Sequence, residues 1–147
     1  GGFAASSAEI HDYLVNKARS FIYSTGLPPG AIGAAAGALS TIQSDPEMGA
    51  RLLQKAHWFR QLLHQKGFGT ENSSSQIIPL QIGGNDATLR MAERLRDDGI
   101  FVVAIRPPTV PEGTARLRLS LTRAHTEEDL SWAAERIEYA AKQENII

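Results

Sequence analysis

Two neighbouring segments in the second half of the sequence constrain the fold more than any other feature. From residue 116 to 121 polar and apolar side chains alternate strictly, which puts Leu117, Leu119 and Leu121 on one side. Because successive side chains of a strand point to opposite faces, this pattern predicts a strand with one covered face. The apolar run at 100–105 predicts a second strand, and its continuity predicts burial on both faces.

The order of the expected elements indicates the fold class. From residue 46 onward the patterns read helix, strand, helix, strand, strand, helix. The strand at 76–82 contains Pro79, which favours an edge position or a bulge because proline cannot donate to a ladder. The last helix is expected to begin at Thr126, with Asp129 in its first turn. The prediction is an α+β domain, with helices covering one face of a short, mostly antiparallel sheet.

The first 45 residues have a different character. Their main helix, predicted at 29–43, is rich in alanine, glycine, isoleucine and leucine and has almost no polar face. A helix that is apolar all round is normally covered on all sides, so we expect it to pack against a body outside the chain. The predicted division is therefore 1–45 and 46–147. The start Gly-Gly-Phe lacks an initiator methionine, and we expect an internal piece of a longer protein.

Composition excludes several classes of function. The formal net charge is −1 and the 15 basic residues are scattered, which argues against a nucleic-acid or anionic-membrane surface. Cysteine is absent, so the chain has no disulfide and no thiolate metal site. No apolar run approaches the roughly 20 residues of a membrane-spanning helix.

A proline-rich loop presents the first candidate binding residues. Arg106 stands at the end of the apolar strand, the Pro107-Pro108 pair stiffens the backbone, and Thr109 follows. A rigid loop that carries a guanidinium and a hydroxyl suits recognition of a carboxylate, since arginine offers a planar fork of donors. The alternative is an ordinary proline-rich connection with an exposed arginine, and the residues alone leave both open.

Arg118 is the second candidate. It lies in the middle of the alternating strand, on the polar face beside Arg116, and the strand carries no acid to neutralise either residue. Two arginines on one face repel each other unless an anion or a partner carboxylate lies between them, which favours an anion site. The alternative is the solvated face of an edge strand.

The histidines are expected to have structural roles. His57 and His64 are seven residues apart on one predicted helix, too far to share a metal, and His125 is expected to support the turn before Thr126. The sequence contains no phosphate-binding glycine fingerprint and no nucleophile–base constellation. The chain is therefore predicted to have no catalytic or metal-binding residues of its own.

One stretch carries a family resemblance. Residues 104–121, which begin Ala-Ile-Arg-Pro-Pro-Thr-Val-Pro, are very similar to the matching stretch of 8-amino-7-oxononanoate synthases. Those enzymes belong to the pyridoxal-phosphate (PLP)-dependent α-oxoamine synthases. The segments 22–29, 77–80 and 124–129 agree in order and spacing, so the resemblance covers nearly all of the chain.

The resemblance implies a fold and roles for particular residues. It implies a fold-type-I transferase, with the end of the large PLP-binding domain at 1–45 and the small C-terminal domain at 46–147. Arg118 would bind the carboxylate of the amino acid substrate, with Thr109 and Arg106 contacting substrate beside it. Ser24 and Thr25 match the loop that reaches the cofactor phosphate of the neighbouring subunit. The lysine that holds PLP would precede Gly1.

The resemblance also implies an activity. It is the decarboxylative condensation of L-alanine with pimeloyl-CoA, or with pimeloyl carrier protein, in a cytoplasmic homodimer with PLP as cofactor. The chain alone is expected to be inactive and to bind no PLP. Two alternatives stay open: a sister synthase that uses glycine, such as a glycine C-acetyltransferase, and a non-catalytic binding module with the small-domain fold.

Overall fold

The chain folds into two compact units. The computed structural model describes residues 2–70 and 73–147. The units are Gly1–Pro46 and Glu47–Ile147. That the first unit is the end of a larger PLP-binding domain, and the second its small partner domain, stays a prediction.

The first unit is helical, and none of its described residues, 2–46, is buried. Its helices are α1 (Ala8–Lys17), α2 (Arg19–Ile22) and α3 (Pro29–Ser44). Pro29 stands in the first turn of α3, where a missing N–H costs nothing. The helix predicted at 29–43 is thus confirmed, and none of its residues is buried. Ile32, Leu39 and Ile42 each expose more than half of their surface. Among the described helices, none combines the length and the apolar composition that a membrane crossing requires.

The second unit has the predicted order of elements. They are α4 (Met48–Gln65), β1 (Ile77–Gly83), α5 (Asn85–Asp97), β2 (Val103–Ile105), β3 (Ala115–Ser120) and α6 (Glu127–Gln143). The three strands lie in the order β1, β3, β2, and both pairings are antiparallel. Pro79 lies in β1, an edge strand, as its missing N–H suggested. The α+β fold class is confirmed.

The core lies between one face of this sheet and the helices. Leu117, at the centre of β3, pairs with Leu80 of β1 on one side and Ala104 of β2 on the other. The larger side chains that are almost fully buried with it are Phe59, Leu63, Ile78, Met91, Leu95 and Ile137. The alternation in β3 therefore gives one covered face, as predicted: its leucines are covered and its arginines lie on the other face.

For the run at 100–105, the prediction of burial on both faces is wrong. Only Val103–Ile105 forms a strand, and it is an edge of the sheet. The side chain of Phe101 is 85% exposed and that of Val103 is 47% exposed. An apolar run is typical of a doubly covered strand, but within residues 2–70 and 73–147 neither a further strand nor a second layer covers this one.

The start of α6 is capped as predicted. The hydroxyl of Thr126 accepts a hydrogen bond from the N–H of Asp129 at 3.0 Å. The carboxylate of Asp129 accepts one in return from the N–H of Thr126 at 2.8 Å. This reciprocal pair satisfies two backbone donors that a helix start otherwise leaves without partners.

A carboxylate between two lysines makes the stability of the second unit depend on pH. Lys142 and Lys66 donate to Glu138 at 2.6 and 2.5 Å and lower its pKa to about 2. A lowered pKa in the folded state stabilises the fold above the ordinary carboxyl pKa of about 4.3, and this contribution is lost as the pH falls through about 2.

We therefore expect Glu138→Gln to lower the urea midpoint at neutral pH, because both lysines lose their charge partner. The difference in midpoint between the two proteins should be constant above the ordinary carboxyl pKa and should close as the pH approaches about 2. Urea titrations between these limits measure it. A difference that stays constant down to acid pH contradicts the assignment.

Candidate substrate-recognition site

Arg118 lies at the middle of the sheet's open face. It belongs to the central strand β3, where it pairs with Pro79 on one side and Val103 on the other. The alternative that it lies on an edge strand is therefore wrong. Because Leu117 and Leu119 point into the core, the side chain of Arg118 is directed away from the helices.

The Arg118 guanidinium is exposed and has no partner among the described residues. Neither a hydrogen bond nor an ion pair to it occurs within residues 2–70 and 73–147. The side chains beside it on the neighbouring strands, Pro79 and Val103, carry no charge. A guanidinium with five free donors on such a face can bind a carboxylate through two parallel hydrogen bonds.

Arg116, on the same face of β3, has different surroundings. It is half-buried, and its Nε donates a hydrogen bond to the carbonyl of Thr114 at 3.1 Å. The sequence pattern treats the two arginines alike, so it did not indicate this bond. No local signal in the sequence could have indicated this bond, since the contact depends on how the chain enters the strand.

The loop between β2 and β3 is closed by turns at both ends. The N–H of Thr109 donates to the carbonyl of Arg106 at 3.0 Å, around a cis peptide bond between Pro107 and Pro108. The side chains of Arg106 and Thr109 are exposed, and neither forms a hydrogen bond in the described part of the chain. The fold therefore puts both residues on a turn that directly follows β2. Their contact with a substrate held at Arg118 stays a prediction.

Ser24 and Thr25 belong to the first unit. The Ser24 hydroxyl donates to the carbonyl of Ser20, and its N–H donates to the carbonyl of Phe21 at 3.3 Å. Both residues are exposed just after α2. The O–H of Ser24 is used by the Ser20 carbonyl in this fold, and the contact of these two residues with the phosphate of PLP stays a prediction.

The lysines of the chain are not expected to hold the other end of PLP. Lys66 and Lys142 are engaged with Glu138. Lys55 donates to backbone carbonyls, and Lys17 is exposed in the last turn of α1. The amines of Lys55, Lys66 and Lys142 therefore already have partners in the fold. That the lysine holding PLP lies outside these four positions stays a prediction.

His125 has the structural role that the sequence suggested. Its Nδ1 accepts a hydrogen bond from the N–H of Thr122 at 3.2 Å. Lys55, from α4, donates to the carbonyl of His125 and to that of Arg123. These bonds hold the turn between β3 and α6, and the role of Lys55 was not apparent from the sequence.

Comparison with known proteins identifies the family. The family model for aminotransferase class I and II matches residues 1–137. A curated relative from a strain of Bacillus cereus, named "Putative 8-amino-7-oxononanoate synthase", is 42% identical over 146 residues. The alignment covers 99% of this chain and 37% of that protein, so the chain spans little more than a third of the relative it matches.

Solved structures agree with this result. The 8-amino-7-oxononanoate synthase from Francisella tularensis superposes with a TM-score of 0.78 at 30% identity, covering 95% of this chain and 41% of that one. A serine palmitoyltransferase from S. paucimobilis, solved with a bound PLP–myriocin aldimine, gives a TM-score of 0.80 at 27% identity. It is covered over 33% of its length, against 88% of this chain. The resemblance and the fold-type-I architecture expected from the sequence are confirmed, and the chain belongs to the aminotransferase class I and II family.

Proposed function

We propose that this chain is the C-terminal part of a PLP-dependent acyltransferase. In this proposal the full-length protein condenses L-alanine with pimeloyl-CoA or pimeloyl carrier protein, and releases carbon dioxide and the free thiol of CoA or of the carrier protein. The product is 8-amino-7-oxononanoate, an intermediate of biotin biosynthesis. Relatives that bear this enzyme's name and match the whole chain support the proposal.

The observation that carries the proposal is the free guanidinium of Arg118 on the open face of the sheet. A permanent positive charge that has no partner among the described residues is suited to a substrate carboxylate, and the planar fork fixes the orientation of that carboxylate. When bound, PLP supplies the electron sink for the carbanion chemistry. The contribution of Arg118 is to hold the alanine carboxylate so that the bond to be broken keeps its alignment.

The other site residues have supporting roles in this proposal. Thr109 and Arg106 reach the substrate from the turn that follows β2. Ser24 and Thr25 bind the cofactor phosphate of the neighbouring subunit, which makes the active assembly a homodimer. The lysine that holds PLP belongs to the part of the protein that precedes this chain, so the chain alone is inactive and binds no PLP. We place the full-length enzyme in the cytoplasm.

Substrate competition in the full-length protein tests the proposal against its alternatives. L-Alanine and glycine should each be offered with pimeloyl-CoA and with acetyl-CoA. The proposal expects the highest kcat/KM for the pair of L-alanine and pimeloyl-CoA. A preference for glycine with acetyl-CoA identifies a sister synthase instead, and no turnover with any pair favours a non-catalytic binding module.

A further inference from the structure

The two arginines on the open face of β3 cannot have interchangeable roles. Arg118 is exposed and has no partner within the described residues, whereas Arg116 is half-buried and its Nε is used by the Thr114 carbonyl at 3.1 Å. The first guanidinium is free for a ligand. The second is already joined to the backbone of the loop that precedes it.

Thr114 is the last residue of that loop before β3. Its N–H and its hydroxyl both donate to the carbonyl of Pro111, at 3.2 and 2.8 Å. The bond from Arg116 therefore holds a residue that itself closes a turn. At the other end of the loop the N–H of Thr109 closes a turn on Arg106 at 3.0 Å.

The last residue of strand β1 lies beside the same end of the loop. Gly83 pairs with Ala115 where the register of β1 and β3 shifts. A Cβ added to Gly83 would lie 3.6 Å from the carbonyl oxygen of Gly113. Both glycines have positive φ, +95° and +75°, a conformation that residues with a side chain rarely adopt. The end of the loop is thus bonded to Arg116 of β3 and lies beside the end of β1.

We infer that Arg116 is a positioning residue for the loop at 106–114, and not a second anchor for a substrate anion. Its bond to Thr114 sets the end of the loop, and the loop in turn sets where Arg106 and Thr109 stand relative to Arg118. The part of this inference that concerns the substrate rests on the proposed function. The contact between Arg116 and the loop does not depend on it.

Two substitutions separate the donor of Arg116 from its charge. In glutamine the amide nitrogen is attached to Cδ, the same position that Nε has in arginine, so Arg116→Gln keeps a donor there and loses the charge. In lysine a methylene occupies that position and the ammonium lies one atom further out, so Arg116→Lys keeps the charge and removes the donor from the Nε position. If Arg116 positions the loop, the glutamine variant should keep its function. If Arg116 binds an anion, the lysine variant should keep it instead.

Hydrogen exchange of the 147-residue chain tests the loop without any substrate. The amides of Thr109 and Thr114 close the two turns, so their exchange reports the state of the loop. We expect Arg116→Lys to speed exchange in 106–114 on the order of tenfold, the effect of losing a hydrogen bond from a charged donor, and Arg116→Gln to leave it within about twofold. Exchange in α6 serves as the internal control.

A second pair of variants reaches the same turn from Thr114. Thr114→Val removes the hydroxyl bond to Pro111 and should speed exchange in the loop, whereas Thr114→Ser keeps the bond and should not. Neither substitution changes the carbonyl that Arg116 binds, so this pair tests the premise that the turn at Thr114 sets how freely the loop opens. Equal exchange in the valine and serine variants overturns the inference.

Kinetics in the full-length protein complete the test. We expect Arg116→Lys to lower kcat/KM for L-alanine about tenfold, and Arg116→Gln to stay within about twofold of the parent. The opposite order identifies an anion anchor and overturns the inference, as does an equal effect of both substitutions. If the protein turns over no L-alanine while exchange still follows the donor pattern, the proposed function fails and the role of Arg116 in the loop stands.

Discussion

Replacing Arg118 by alanine in the full-length protein is expected to lower kcat/KM for L-alanine by about 30-fold to 5,000-fold. This range corresponds to the ~2–5 kcal/mol that is lost when one partner of a buried, hydrogen-bonded charge pair is removed. The reason is that the carboxylate of the bound substrate would keep its desolvation cost and lose the guanidinium that is proposed to bind it. Initial rates over a range of L-alanine concentrations measure the effect.

Two further variants show whether the loss is specific. Arg118→Lys keeps the charge but lacks the planar fork, so it should restore only part of the activity. Arg96→Ala removes an exposed arginine of α5 whose side chain forms no hydrogen bond among the described residues, and it should change nothing. The urea midpoint of Arg118→Ala should match the parent, because Arg118 has no partner in the described fold. Near-normal kcat/KM for Arg118→Ala rules out the proposed carboxylate contact.

The second large effect concerns stability. Leu117→Ala should lower the free energy of unfolding of the 147-residue chain by ~2–5 kcal/mol, the range for truncating a large side chain in a packed core. Leu117 is fully buried at the centre of the middle strand, between Leu80 and Ala104, so few neighbours can move to fill the space. Urea unfolding followed by far-UV circular dichroism measures the change.

Leu53→Ala is the matched control for this prediction. Leu53 lies on α4 and is 44% exposed, so the same truncation should cost well under ~1 kcal/mol there. Equal losses for the two variants would mean that the sheet face carrying Leu117 is not the core of the second unit.

The parts of the fold that follow local rules could be predicted from the sequence. The alternation in 116–121 correctly predicted that the leucines lie in the core and the arginines on the open face, because side chains on a strand alternate. Thr126 and Asp129 marked the start of α6, because their side chains satisfy backbone donors that lie within four residues. In both cases the physical cause lies inside the segment itself.

The features that depend on distant parts of the chain could not be predicted. The run at 100–105 gave no sign that β2 is a short edge strand, because position in a sheet depends on which strands pair and not on the composition of one of them. The bond from Arg116 to Thr114 could not be predicted either, although it joins residues two positions apart, because it depends on the path of the loop. The contact of Lys55 with the turn at His125 joins residues 70 positions apart.

Contacts among the described residues do not explain the apolar composition of helix α3. Its apolar composition predicts a covered helix, and its residues are exposed in the chain by itself. A relative that extends well beyond the matched 37% of its length has additional chain that could cover such a helix. The proposal that residues 1–45 end a larger PLP-binding domain accounts for the helix in this way.

The central claim is that the chain belongs to an enzyme that binds L-alanine by its carboxylate and then removes that carboxylate. The most direct test offers the full-length protein L-alanine labelled with ¹³C in the carboxyl group, together with pimeloyl-CoA. We expect one labelled carbon dioxide to be released for each 8-amino-7-oxononanoate formed, and neither product to appear without the thioester. Product that retains the label, or thioester consumption without release of labelled carbon dioxide, would contradict it.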